Sequence, residues 1–158
     1  MRLLVLGANG QLGRCLADQL MGANHETILT SRSEIDITDF AATRVKISQI
    51  NPDVVINASA YTGVDDAESD TQKADLVNHL AVANIAYVCA DIESVLIHMS
   101  TDYVFDGEAS AGYGEEAQTN PQGVYGKTKL LGEIAIQQSG CKHLIIRTAW
   151  VFSEYGNN

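Results

Sequence analysis

Leu3-Leu4-Val5-Leu6-Gly7-Ala8-Asn9-Gly10-Gln11-Leu12-Gly13 decides the fold of this chain. Its four continuous apolar residues read as a strand buried on both faces, the pattern of a parallel sheet. Beyond the turn, Leu12, Leu16 and Leu20 recur at i, i+4 and i+8, which predicts a helix. Between strand and helix, G-x-x-G-x-x-G has a chemical use. Gly7 and Gly10 let the backbone turn tightly and approach a pyrophosphate, and Gly13 lets the helix pack closely. The helix then points free N–H groups and its positive dipole end at the phosphates. A glycine-rich turn alone is only a tight loop; in this setting it indicates nucleotide binding.

Working outward, Val54-Val55-Ile56, Val95-Leu96-Ile97 and Leu144-Ile145-Ile146 repeat the buried-strand pattern. A shorter run, Thr27-Ile28-Leu29-Thr30, belongs nearer an edge. Phe40, Ile47 and Ile50 mark a second helix, ended by Asn51-Pro52. Val77, Leu80, Ala81 and Val88 predict one long helix over residues 71–91. Leu130, Leu131 and Ile134 predict another over residues 124–139, with Gly140 in the C′ position. Alternating strands and helices give an α/β fold, a doubly wound, Rossmann-like parallel sheet with right-handed crossovers. The expected strand order is 2-1-3-4-5. A stub at residues 34–36 can lie outside strand 2, although the segment after Thr30 is short for a helical crossover. Residues 1–158 read as a single domain without repeats or low-complexity segments.

That length suffices for one domain with a real core. Twenty acidic against ten basic residues give a net charge of −10, which repels phosphate backbones and argues against a nucleic-acid partner. A small anionic ligand held by backbone amides remains compatible. No apolar run approaches the roughly 18 residues of a membrane span, and no signal peptide precedes the first strand. The expectation is a cytoplasmic protein with no membrane partner. Cys15, Cys89 and Cys141 lack metal-type spacing and read as reduced thiols, so no metal site is expected. At the other end, Trp150, Val151 and Phe152 need cover. Either they fold back on this domain or a C-terminal region is absent and the domain is truncated. In the second case the two rings are exposed.

Strand 2 selects the ribose. NAD-selective sites place an acid near its end, but here Thr30-Ser31-Arg32-Ser33 intervenes before Glu34. Arg32 can pair a 2′-phosphate bidentately, with Ser31 or Ser33 adding a hydroxyl. NADPH is therefore the expected cofactor, NADH stays open, and the plain alternative is a solvated loop arginine.

Tyr125-Gly126-Lys127-Thr128-Lys129 puts a phenol and an ammonium on one helix face. A free tyrosine, with a pKa near ~10, is a poor acid at neutral pH. Lowering it by ~2 units takes ~2.7 kcal/mol, which a lysine cation and an oxidised nicotinamide can supply. Upstream, Ser100-Thr101-Asp102 ends a strand at the carboxyl edge of the sheet, where such folds bind ligands. Thr101 can hydrogen-bond the same carbonyl oxygen as Tyr125.

These stretches, with Asn57-Ala58-Ser59-Ala60-Tyr61-Thr62, STDYVFDG at 100–107, YGKTKLLGE at 125–133 and Arg147-Thr148-Ala149-Trp150, resemble extended short-chain dehydrogenase/reductases. Within that group the chain resembles the dTDP-4-dehydrorhamnose reductase family. The resemblance implies hydride transfer from NAD(P)H to C4 of dTDP-4-dehydro-L-rhamnose, a nucleotide-sugar substrate, giving dTDP-L-rhamnose for cell-surface polysaccharide. It implies Tyr125 as general acid, Lys129 on the nicotinamide ribose and lowering the Tyr125 pKa, and Thr101 orienting the carbonyl. Asn9, Gln11 and Leu12 belong to its phosphate turn, and Asp36 and Ile37 to its adenine contacts. Ala58, Ser59 and Ala60 line the cofactor, and Asn78 resembles a cofactor-site asparagine. Tyr103, Val104 and Trp150 match substrate-facing positions. Ser59, Gly63 and Asp66 replace alanine, alanine and lysine of the family pattern, and the family's C-terminal region is missing, so a homodimer is left open. Two other readings compete: a related reductase or epimerase acting on another nucleotide sugar, and a non-catalytic NAD(P)-binding regulatory subunit. Intact Thr101, Tyr125 and Lys129 disfavour the last, since a pure binder needs no acid.

Overall fold

The structure is a computed structural model that describes residues 1–156; the last two residues of the chain lie outside the described residues. Strand β1 (Arg2–Leu6) is an interior strand, second from one edge of a five-stranded parallel sheet. It pairs with β2 (Glu26–Thr30) on one side and β3 (Val54–Asn57) on the other. Beyond β3 lie β4 (Val95–Thr101) and β5 (His143–Thr148), so the order is 2-1-3-4-5, as the alternation of elements requires. Leu6 stands level with both Thr30 and Asn57. Asn57 in turn pairs with His98, so β4 continues three residues past β3 and carries Thr101 beyond the sheet's common edge. That overhang positions the chemistry described below.

The sheet contributes Leu4, Leu6, Val55 and Leu96 to the core, packed with Ile47 of helix α2 (Phe40–Ile50), Ile85 and Val88 of α5 (Ala81–Asp91) and Ile136 of α6 (Val124–Gln138). Full burial of each such side chain stabilises the fold by roughly 1.5–3 kcal/mol. Helix α1 (Gln11–Leu20) follows the glycine turn. Asp39 caps α2 by accepting from the Ala42 N–H at 3.0 Å, and Asn51 ends it in the left-handed region at φ 47°. Gly140 closes the turn after α6 at φ 78°.

Three expectations need correction, and one element was not foreseen. The 71–91 helix is broken: α4 (Thr71–Asp75) passes into a π-helical turn at Leu76–Leu80 before α5. A short α3 (Val64–Ser69), without apolar periodicity, precedes it. Residues 34–36 form no strand, because the Asp36 carboxylate accepts the Thr38 N–H and hydroxyl and folds the chain into a turn. Finally, β5 is not buried on both faces: Leu144 is 52% and Ile146 37% exposed, since β5 is the last strand of this sheet. Among the described residues no helix is long and apolar enough to cross a membrane.

Candidate active site

The glycine turn closes tightly on the end of β2: the Gly7 and Ala8 N–H groups both donate to the Thr30 carbonyl, at 3.0 and 2.9 Å. Gly7 has φ +80°, and a Cβ on Gly13 would lie 2.3 Å from the Gly7 carbonyl oxygen. Side chains at these two positions would separate α1 from the turn. Gly10 begins α1 and offers no side-chain cap, so the first-turn N–H groups face outward without a side-chain acceptor. An anionic group fits that end of the helix on geometry and dipole alone.

A cleft of about 270 Å³ opens in front of this turn. Gly7, Asn9, Gly10, Arg32, Asp36, Ile37, Ala58, Ser59 and Ala60 line it, bringing together residues from three βα connections. Gln11, Leu12 and Gly13 do not line it; Gln11 donates instead to the Val151 carbonyl at 3.2 Å. Tyr61, Lys73 and Val77 also line the cleft, and sequence reasoning missed them in this role. Lys73 lies 5.6 Å from the Tyr61 ring centre, a relationship that no spacing in the sequence announces. Arg32 Nε pairs with Asp36 Oδ2 at 3.2 Å, both side chains being well exposed. The Thr38 hydroxyl and N–H, with Arg32 adding to them, hold the Asp36 carboxyl below its ordinary range.

Asn78 does not reach into the cleft. It lies in the π turn, 1% exposed, and its side chain grips the Tyr61 backbone in both directions. Oδ1 accepts from the Tyr61 N–H at 2.9 Å, while Nδ2 donates to the Tyr61 carbonyl at 3.1 Å and to Thr128 Oγ1 at 3.3 Å. Its amide hydrogens are thereby used inside the protein, so Asn78 positions the 58–61 loop rather than touching a cofactor. Asn78 makes these contacts from within the π-helical turn.

At the overhanging end of β4, Thr101 is 5% exposed and accepts from the Tyr103 N–H at 3.2 Å. The Tyr103 ring stands edge-on to Tyr125, with centroids 5.6 Å apart. Helix α6 comes this close because residue 126 is glycine: a Cβ there would lie 2.2 Å from the Tyr103 carbonyl oxygen. Glu68 of α3 secures the start of α6 by accepting from the Val124 N–H at 2.7 Å. The structure therefore brings Thr101, Tyr103 and Tyr125 together. Val104 is different: it is fully buried, a core residue rather than a substrate contact. Trp150 and Phe152 are 91% and 85% exposed, so they do not fold back on this domain.

The electrostatics also depart from the sequence reading. Burial pushes the Tyr125 phenol up, against the lowering influence of the Thr101 hydroxyl; Asp102 and Tyr103 push it further up. Lys129 is 2% exposed, and its Nζ donates to the Met99 carbonyl at 2.5 Å and lies 3.3 Å from His98 Nε2. Burial lowers its pKa to about 8, partly offset by Glu133. In this structure Lys129 is thus turned into the core beside β4 and is not what sets the Tyr125 phenol.

Two buried polar groups went unread in the sequence. Glu133 accepts from the Ser100 hydroxyl and from Arg147, tying α6 to the ends of β4 and β5. Asn57 joins His98 at 3.2 Å beneath the cleft. Among the described residues no group of three or more His, Cys, Asp or Glu side chains could hold a metal ion. Cys89 and Cys141 are buried free thiols and Cys15 is half-buried; burial drives the Cys89 pKa up to about 12, which makes it inert.

Comparison with known proteins agrees with this geometry. The chain is 44% identical over 158 residues to a dTDP-4-dehydrorhamnose reductase of Aggregatibacter actinomycetemcomitans, covering 99% of this chain and 54% of that protein. A crystal structure of a dTDP-4-dehydrorhamnose reductase from Clostridium acetobutylicum superposes with a TM-score of 0.97 at 42% identity, over 100% of this chain and 56% of that one. A Bacillus anthracis dTDP-4-dehydrorhamnose reductase, solved in complex with NADP, gives 0.96 at 34% identity, over 99% and 56%. The chain spans about half the length of the curated relatives it matches. The family model described as the RmlD substrate binding domain matches residues 1–158, and the chain belongs to that family.

Proposed function

We propose that this chain forms the cofactor-binding and proton-donating part of an NAD(P)H-dependent reductase of a dTDP-linked 4-ketosugar, the product being dTDP-L-rhamnose. One observation carries the reading: Thr101 and Tyr125 stand at the carboxyl edge of the same sheet whose glycine turn presents an uncapped helix N-terminus to an open cleft. The cleft's donor set fits a dinucleotide. The α1 N-terminus suits a pyrophosphate, Arg32 suits a 2′-phosphate, and Ile37 with Asp36 offers an apolar wall with a polar edge for a base. When bound, NADPH supplies the hydride.

The protein's own part is to hold the carbonyl and deliver a proton. The Thr101 hydroxyl orients the C4 carbonyl oxygen, and Tyr125 protonates that oxygen as it gains charge. A phenol raised by burial keeps its proton at neutral pH, so Tyr125 waits in the acid form. Lys129 then serves the nicotinamide ribose and the phenolate once its amine leaves the Met99 carbonyl. The exposed Tyr103 ring is the substrate-side neighbour of Tyr125.

The test is steady-state reduction of the ketosugar at saturating NADPH by a chain continued through the half that its relatives carry. Tyr125→Phe is expected to lower kcat by about 10²–10⁴ while leaving cofactor affinity nearly unchanged. Undiminished turnover would remove Tyr125 from the mechanism.

A further inference from the structure

Tyr125 is the second residue of α6, in the turn where a helix is least held, because the first N–H groups have no partner within the helix. A side chain at the N-cap commonly supplies one, but here the N-cap is Gly123, which has none to offer. The acceptor comes instead from 56 positions away in sequence, where Glu68 Oε1 takes the Val124 N–H at 2.7 Å. The glycine and the glutamate form one arrangement. A Cβ on Gly123 would lie 2.9 Å from Glu68 Oε1, and among the described residues it meets no other atom within 4 Å beyond its own chain neighbours. The carboxylate thus stands where a local capping side chain would go. The Gly123 backbone is extended, at φ −102° and ψ 170°, so its torsions do not call for glycine.

We propose that Glu68 is a positioning residue for Tyr125: by capping α6 from α3, it sets where the phenol stands relative to Thr101 and Tyr103. The proposal rests on the reading of Tyr125 as proton donor for its catalytic consequence, not for its geometry. Past Tyr125 the helix is already fixed. Gly126 seats it against the Tyr103 carbonyl, and Thr128 Oγ1 donates to the Tyr125 carbonyl at 3.0 Å. Glu68 fixes it on the other side, one residue before Tyr125. Its support is firm: Ala67, next to Glu68, is fully buried, and the Ala67 N–H donates to the Gly63 carbonyl at 3.0 Å. Helix α3 also begins just past the 58–61 loop that lines the cleft, where Asn78 grips Tyr61. The cleft wall and the start of α6 therefore share one support. Glu68 itself is exposed, so water takes over its contact when it is removed and the fold loses little. What goes is the tie between α3 and α6, and a displacement of ~1 Å at a reacting group costs about 10²-fold in rate.

Two measurements test this: steady-state kinetics of the chain continued through the half that its relatives carry, and NMR of the Tyr103–Tyr125 ring contact in the 158-residue chain. Glu68→Ala is expected to lower kcat by ~10–100-fold, leave NADPH affinity nearly unchanged and weaken the cross-peaks between the two rings. Glu68→Gln keeps a carbonyl oxygen able to accept from the Val124 N–H and is expected to recover both readouts. So is Glu68→Ala combined with Gly123→Ser, which puts a hydroxyl cap into the space that the carboxylate gives up. An undiminished kcat or an unweakened ring contact in Glu68→Ala would overturn the proposal. A loss that neither restoring variant recovers would equally overturn it, being the mark of charge or of α3 packing rather than of a cap. Should the unaltered continued chain reduce no ketosugar, or Tyr125→Phe be undiminished, the functional reading alone fails, and the ring contact decides the proposal.

Discussion

Arg147 meets Glu133 with two nitrogens, Nε at 3.1 Å from Oε1 and Nη2 at 2.7 Å from Oε2, and the carboxylate is only 1% exposed. A two-pronged pair fixes geometry as well as charge. Removing one partner leaves a buried charge uncompensated, which costs about 3–5 kcal/mol. Arg147→Met is therefore expected to destabilise the chain by that amount in urea unfolding. Glu133→Gln is expected to cost less, because Arg147 is 24% exposed and recovers water. Equal, negligible effects would mean the pair does not tie α6 to β5.

Asn78 is predicted to matter through Tyr61. Asn78→Leu leaves the Tyr61 N–H and carbonyl without their partners. Losing buried partners of this kind costs about 1–3 kcal/mol. Because residues 58–61 line the cleft, NADPH affinity is expected to fall along with stability. Weakened NADPH binding with unchanged stability would instead point to direct contact by Asn78.

Among the described residues Arg32 is held by an exposed pair with Asp36, worth less than about 1 kcal/mol, so it can turn toward a ligand. Arg32→Ala is expected to cost about 1.5–3 kcal/mol of NADPH affinity and to leave NADH affinity unchanged. Fluorescence titration with both cofactors measures it. Equal losses for the two would sink the 2′-phosphate assignment.

Lys129 gives a pH signature. Its folded pKa is about 8 against an ordinary 10.5, so above about 8 the unfolded chain holds more protons than the folded one. Stability is then expected to rise with pH from about 8 upward. Cys89, raised to about 12 from 9.0, works in the opposite direction above 9.0, because there the folded chain holds the extra proton. The window between about 8 and 9.0 isolates the lysine. Urea midpoints across it are expected to climb in the native chain and stay flat in Lys129→Met; a flat native profile contradicts a depressed Lys129.

Much of this molecule is legible before any coordinates. The order of strands follows from continuous apolar runs alternating with helical stripes, because each encodes local geometry. Gly7 and Gly13 announce close backbone approach, and Tyr125 and Lys129 announce a shared face. What escapes is whatever depends on partners distant in sequence. Asn78 reads as one more helix residue until its bonds to Tyr61, 17 positions away, are seen. Lys129 reads as a cation beside Tyr125 until burial against His98 and Met99 redirects it. Val104 lies inside a motif of site residues yet packs in the core. The apolar run of β5 resembles that of a central strand, because composition does not record which strand comes last in a sheet.

Equilibrium titration of the 158-residue chain with NADPH tests the central claim most directly. The account predicts saturable binding of one cofactor per chain, tighter for NADPH than for NADH. A chain that unfolds cooperatively, and is therefore folded, yet binds neither cofactor would contradict it.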